Sequence, residues 1–341
     1  MHSTTRVRTL LTAGALLLVG VAIAAIGVGS VPVPPTEVVG ILLQQIGIGA
    51  DSAASAGSTA IVLELRLPRI LAAILVGAAI AVAGGVFQSL LRNPLADPYV
   101  LGTSSGAALG AAVAILLPIS GVAWELGGVQ LAAFAGALAA VGLVWRVAGI
   151  GSGEERIASV LLVGYAVASL LAAALSLVML MSGANLRAIF SFLLGGLDGA
   201  TWPRIAAAAL PLILATTLLA LRGRPLAALL LGDEGAMHLG VEVRRERRIS
   251  VALASLATAA AVALAGLIGF VGLVVPHLIR LAVGPDPRAV LPLSAIGGAL
   301  LLLVADSVAR TIGIPVGVIT ALIGAPFLLW LLHRSRTGYA L

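Results

Sequence analysis

The sequence predicts an all-α polytopic membrane protein of about ten transmembrane helices, some short or broken, with both termini cytoplasmic. Three observations predict it. The 341 residues are 60% hydrophobic and only 10% charged, with a mean hydropathy of +1.16, whereas soluble domains run nearer half and a quarter. Apolar runs of roughly 20 residues, the length that crosses a bilayer, recur from one end to the other. The charged residues gather at the ends of those runs and in the connections between them.

Taken in order, the first run extends from Leu10 to Gly29 behind Arg6 and Arg8. It is longer than the roughly 7–15 residues usual in a signal peptide, so it reads as an uncleaved first helix. An extracytoplasmic loop is expected over 30–60, where Pro32, Pro34 and Pro35 break any helix. Further spans are expected at 70–90, 99–117, 129–148, 157–181, 203–221, 249–268, 269–283, 290–309 and 314–332. The run Gly266, Gly269 and Gly272 joins two of these, which therefore read as one broken helix plus a short one. The whole chain, 1–341, is read as a single transmembrane domain, with one sizeable cytoplasmic loop at 222–248.

Orientation follows from charge. With the N-terminus inside, fifteen Arg are cytoplasmic, while Arg66, Arg69, Arg187, Arg204 and Arg310 lie outside. Basic residues favour the cytoplasmic side, so the reverse orientation is excluded.

Several chemistries are excluded by composition. There is no Cys, so disulfides and thiolate sites are absent. Every basic residue other than His is Arg, and a phosphate-binding Walker loop needs Lys, so the chain holds no ordinary ATPase site. The pI of about 11.1 does not indicate nucleic acid, because the Arg form no single patch. The four His, at 2, 238, 277 and 333, are too separated to hold a metal. No Ser-His-Asp set, paired carboxylates or phosphate cradle is present, and no enzymatic site is expected.

The densest motif runs from Leu65-Arg66-Leu67-Pro68-Arg69 through Ala83-Gly84-Gly85-Val86-Phe87-Gln88 to Arg92-Asn93-Pro94-Leu95-Ala96-Asp97-Pro98 and Leu101-Gly102-Thr103-Ser104-Ser105-Gly106. Later come Gly195-Gly196-Leu197 with Trp202, Leu231-Gly232 through Leu239-Gly240-Val241, and Gly269-Phe270-Val271-Gly272 leading to Pro276, His277 and Arg280. Ala305-Asp306 with Arg310, Ile314-Pro315 with Gly317, and Gly324-Ala325-Pro326 complete the set. Over about residues 60–333, in order, the chain resembles the FecCD-type permeases of ABC importers, the group of cobalamin, haem and iron–siderophore permeases.

That resemblance implies a homodimeric pore, two cytoplasmic ATPase subunits that use the ATP and Mg, and one extracytoplasmic binding protein. It implies no cofactor or metal on this chain and no nucleic-acid partner. By the same resemblance Arg66, Arg69 and Arg310 meet acidic residues of the binding protein. Their plainer reading is interfacial anchoring, or for Arg310 a pair with Asp306 one turn earlier. The stretch Leu231, Gly232, Asp233, Glu234, Ala236, Leu239 and Gly240 is expected to form a short helix that couples to the ATPase. Its alternative is an amphipathic helix lying on the headgroups. Arg244, Arg245, Arg247 and Arg248 read as a membrane anchor.

Thr103, Ser104, Ser105 and Arg187 are candidates for the translocation path. Gly102, Gly106 and Gly110 recur every four residues, a spacing that serves close helix packing or a bend beside the path. A proton- or sodium-coupled secondary transporter is the alternative function, though it usually needs ionisable groups buried mid-span. The 14 acidic residues lie at the ends of the expected spans or in loops, Asp306 being the deepest.

Overall fold

The computed structural model describes residues 2–29, 31–45, 47, 55–117, 122–148 and 154–336, with side chains left out at 2–4, 122–126, 154–158 and 334–336. Parts of the 30–60 stretch, and the side chains of Arg156, Arg334 and Arg336, thus lie outside the described residues. Among the described residues the protein is predominantly helical and has no strand. In chain order come α1 (His2–Gly27), α2 (Pro35–Gln45), α3 (Ala56–Ala60), a π-turn (Ile61–Arg66) and α4 (Leu67–Leu90). Next are α5 (Thr103–Leu116), α6 (Val122–Ala148), α7 (Glu154–Leu180), α8 (Leu186–Leu193) and α9 (Trp202–Leu221). The remainder are α10 (Gly223–Leu229), α11 (Asp233–His238), α12 (Val243–Ala265), α13 (Val271–Val283), α14 (Pro287–Ile312) and α15 (Val316–Arg336).

Eight of these stretches are long and apolar enough to cross a membrane; α5 and α13, at two further expected spans, are shorter apolar helices. The expected break in the 30–60 loop is corrected by α2, which starts at Pro35 and buries Val38 and Ile41. Proline suits a first helical turn, where its missing N–H has no partner to lose.

The core is built around α4, the most enclosed of the long helices, with α12 and α14 against it. Small residues allow that approach. A Cβ on Gly77 would overlap the Gly298 carbonyl of α14, and one on Gly84 would overlap the Gly272 carbonyl of α13. Gly106 and Gly110 pack in the same way on Gly136 and Ala132 of α6, so of the two readings their spacing supports close packing.

The irregular stretches before α5 and α13 meet beside α4. Asn93 Oδ1 accepts from the Leu95 amide and Asp97 Oδ1 from the Tyr99 amide, both at 2.9 Å, which explains the turns of the Asn-Pro and Asp-Pro motif. The Tyr99 hydroxyl donates to the Ile268 carbonyl at 3.0 Å. Gly272 lies against Pro98 and the Ile80 carbonyl. Non-helical backbone at membrane depth survives only when protein covers it, and α4 supplies that cover. The two short helices are therefore halves that start inside the protein.

Candidate functional site

At the end of the bundle that the Arg distribution assigns to the outside, three Arg and two Asp converge. The π-turn leads into α4, so Arg66 and Arg69 stand one turn apart, yet their side chains part company. Arg66 is only 5% exposed. It donates to the carbonyls of Ile26, at 2.5 Å, and of Val31. Arg310, at the end of α14, donates to the Ala25 carbonyl at 2.6 Å and to Ser307 Oγ at 3.4 Å. The last carbonyls of a helix have no partner within it, and Ala25 and Ile26 belong to the last turn of α1. Two guanidinium groups thus cap that helix and complement its dipole.

Arg69 is held differently. Its Nε lies 2.9 Å from both carboxylate oxygens of Asp306, and its Nη2 lies 2.8 Å from Asp306 Oδ1. Its Nη1 pairs with Asp198, in the connection between α8 and α9. The Asp306 hydrogen bonds therefore go to Arg69 and not to Arg310 on its own helix. Arg310 keeps Nε and Nη1 without a hydrogen-bond partner. Arg66, expected with Arg69 to meet the binding protein, is buried against α1. Trp202 Nε1 donates to the Leu63 carbonyl at 3.0 Å and fastens the Asp198 connection to the same rim.

At the opposite end, which the Arg distribution assigns to the cytoplasm, Gly232 (φ 100°) and Gly240 (φ 78°) reverse the chain on either side of α11, in backbone conformations that favour glycine. Ala236 is buried, while Leu231, Met237 and Leu239 stand exposed. Asp233 fixes this helix. It accepts from Arg247 of α12 at 2.6 and 3.1 Å and from Arg92, beyond the end of α4, at 3.4 Å. Arg92 also donates to the Leu229 carbonyl at 3.1 Å. Arg247 is buried, so it is a tie between α11 and α12 and not only an anchor. Beside it Arg222 pairs with Glu246, whose carboxylate also accepts from Ser250 at 2.9 Å. That carboxylate raises the Arg222 pKa above its already high range.

Of the path candidates, Thr103 is wholly buried, with its hydroxyl on the Pro98 carbonyl at 3.4 Å. Ser104 and Ser105 are half-buried, and Arg187 is exposed at the start of α8. Glu234 lies on α11 beside Asp233. Asp198 escaped the sequence reading, and Gln88 and Arg280 entered it only within motifs, without a role. Gln88 donates to the Leu273 carbonyl at 3.1 Å and accepts from Arg280, a polar staple between α4 and α13. Among the described residues no three His, Asp or Glu come together to hold a metal ion.

With this geometry in view, the sequence profile described as the FecCD transport family matches residues 6–334. The chain is 44% identical over 283 residues to the cobalamin import system permease protein BtuC of Halobacterium salinarum, covering 82% of this chain and 75% of that protein. It is 41% identical over 281 residues to the hemin transport system permease protein HmuU of Yersinia pestis, covering 80% and 83%. A solved structure described as a metal-chelate type ABC transporter in an inward-facing conformation superposes with a TM-score of 0.82. It is 29% identical and is matched over 96% of this chain and 99% of that one.

Proposed function

This chain belongs to the FecCD transport family and is a multi-pass membrane permease of ATP-binding-cassette import, and we propose that its cargo is a bulky metal chelate: an iron–siderophore complex, haem or cobalamin. The relatives that carry cobalamin and hemin support that class of cargo. So does the lack of a metal-ligand cluster among the described residues, since a bare ion needs ligands along its way and a chelated one does not.

The observation that carries the mechanism is α11. It stands off the inner end with Leu231, Met237 and Leu239 exposed, while Asp233 binds it to α12 and to the end of α4. An apolar knob on a charged tether suits a contact that transmits force as a rigid body. Closure of two separate ATPase subunits, which bind ATP and Mg, pushes α11. The pull reaches α12 through Arg247 and α4 through Arg92, and the pore changes the side to which it opens. Two copies of this chain form that pore in the cytoplasmic membrane, and neither copy hydrolyses ATP or carries a cofactor.

At the outer end, Arg69 and Arg310 form the docking surface for one extracytoplasmic binding protein bearing acidic groups. Arg69 faces the exposed Asp198, and Arg310 brings a second positive charge to the same rim, although its unpartnered Nε and Nη1 are buried. Arg66 supports that surface from below by holding α1.

The test is a mild-detergent pull-down of this chain from its native membranes, with partners identified by mass. An ATPase recovered at about one copy per permease, together with a binding protein when cargo is added, is the expected result. Recovery of the chain alone from a preparation that still transports would overturn the proposal and favour the ion-coupled alternative.

A further inference from the structure

We propose that Asp198 is an exchangeable occupant of the docking surface: it holds the outward edge of the Arg69 guanidinium until an acidic group of the binding protein replaces it. This rests on the reading of the outer rim as that surface.

The two carboxylates on Arg69 differ in one decisive way. The Asp306 side chain is 0% exposed and that of Asp198 is 76% exposed, with Arg69 at 13% between them. No incoming group can reach the Asp306 edge without opening the contact of α4 with α14. The Asp198 edge faces outward. An exposed ion pair is weak because water and salt compete with it, so it changes an equilibrium by only about one- to fivefold. Asp306 is therefore the fixed partner of Arg69 and Asp198 the replaceable one.

The connection carrying Asp198 needs no rearrangement for the exchange. Its backbone is held by the Gly196 amide on the Ala265 carbonyl at 2.8 Å and by the Ala200 amide on the Leu197 carbonyl at 3.0 Å. Trp202 secures its far end on Leu63. Rotation of the one side chain is enough. A second cation is also at hand, because Asp198 and Arg204 line the same cleft of about 410 Å³.

Exchange of one carboxylate for another keeps the outward Nη1 edge of Arg69 paired throughout, while Asp306 stays on the inner edge. A neutral or basic surface cannot make that exchange, so Asp198 restricts docking to partners with a well-placed acidic group and lowers their affinity enough to let them leave.

The experiment uses the full permease assembled with its ATPase in nanodiscs, and as probe the binding protein recovered in the pull-down described above. Capture is measured at low ionic strength for wild type, Asp198→Asn, Arg69→Gln and the double variant, with Asp198→Ser as a second neutral replacement. Asp198→Asn is expected to tighten capture about two- to fivefold. Arg69→Gln is expected to weaken capture and to abolish the effect of the Asp198 change. Capture unchanged or weakened by both Asp198 variants, with Arg69→Gln still weakening it, would overturn the inference and leave the docking surface standing. Capture indifferent to Arg69→Gln would overturn the docking surface itself, and this inference with it.

Discussion

Asp306 of α14 lies wholly buried against Arg69 of α4, with both carboxylate oxygens 2.9 Å from the Arg69 Nε. The pair joins the two most closely packed helices at their outer ends. Removing one member of a buried ion pair leaves an uncompensated charge and costs about 3–5 kcal/mol. Asp306→Asn should therefore lower the thermal unfolding midpoint in detergent far more than Asp198→Asn does. Replacing both partners, as Arg69→Met with Asp306→Leu, should restore most of the loss. Equal effects of the two single Asp variants would contradict this division of roles.

Close packing at Gly84 gives a second expectation. A side chain there would run into the Gly272 backbone, which cannot swing aside, whereas a Cβ on Gly142 of α6 meets nothing within 4 Å. Gly84→Ala should cost about 1–3 kcal/mol or prevent folding. Gly142→Ala should change the unfolding midpoint little. The two are compared in one detergent melt.

Cutting the tether of α11 should separate folding from coupling. Leu231→Ala with Leu239→Ala removes two exposed side chains and should leave the unfolding midpoint unchanged, while cargo-stimulated ATPase activity falls by about tenfold, as loss of an apolar contact anchor does. Asp233→Asn releases Arg247 and Arg92 and should leave the ATPase bound but unresponsive to docking. Normal transport by the Leu231 and Leu239 variant would show that α11 is not the coupling element.

Arg66 provides a test of capping against docking. Arg66→Gln should speed amide hydrogen exchange in the last turn of α1, where it holds the Ile26 carbonyl. Binding-protein capture should change little. A loss of capture with unchanged exchange would give Arg66 the docking role first expected of it.

Much of the fold could be read from the sequence because membrane spans are written locally. Each apolar run has a length, and Arg at its ends gives a side. The short helices at 103–116 and 271–283 fall inside the spans expected at 99–117 and 269–283, the second of which the Gly run at 266–272 marks as short. The short helix α11 was legible from the acidic and apolar residues between Gly232 and Gly240, together with the family resemblance. What escaped was long-range pairing. Asp198 meets Arg69 across 129 positions, and Arg66 reaches carbonyls 35 and 40 positions earlier. Nothing near Arg66 in sequence says that α1 ends beside it, so the resemblance groups it with Arg69 and Arg310. Arg247 sits in a basic tract that suits a membrane anchor, and only the fold brings Asp233 to it.

ATP-driven import through this permease is tested most directly by uptake into proteoliposomes. The purified permease is assembled with its ATPase and binding protein, and labelled cobalamin, haem and a ferric siderophore are offered in turn. Accumulation of one of them that requires ATP on the α11 side, and persists when a proton uncoupler and sodium-free buffer remove ion gradients, is the result expected. Uptake driven by an ion gradient in the absence of ATP would contradict it.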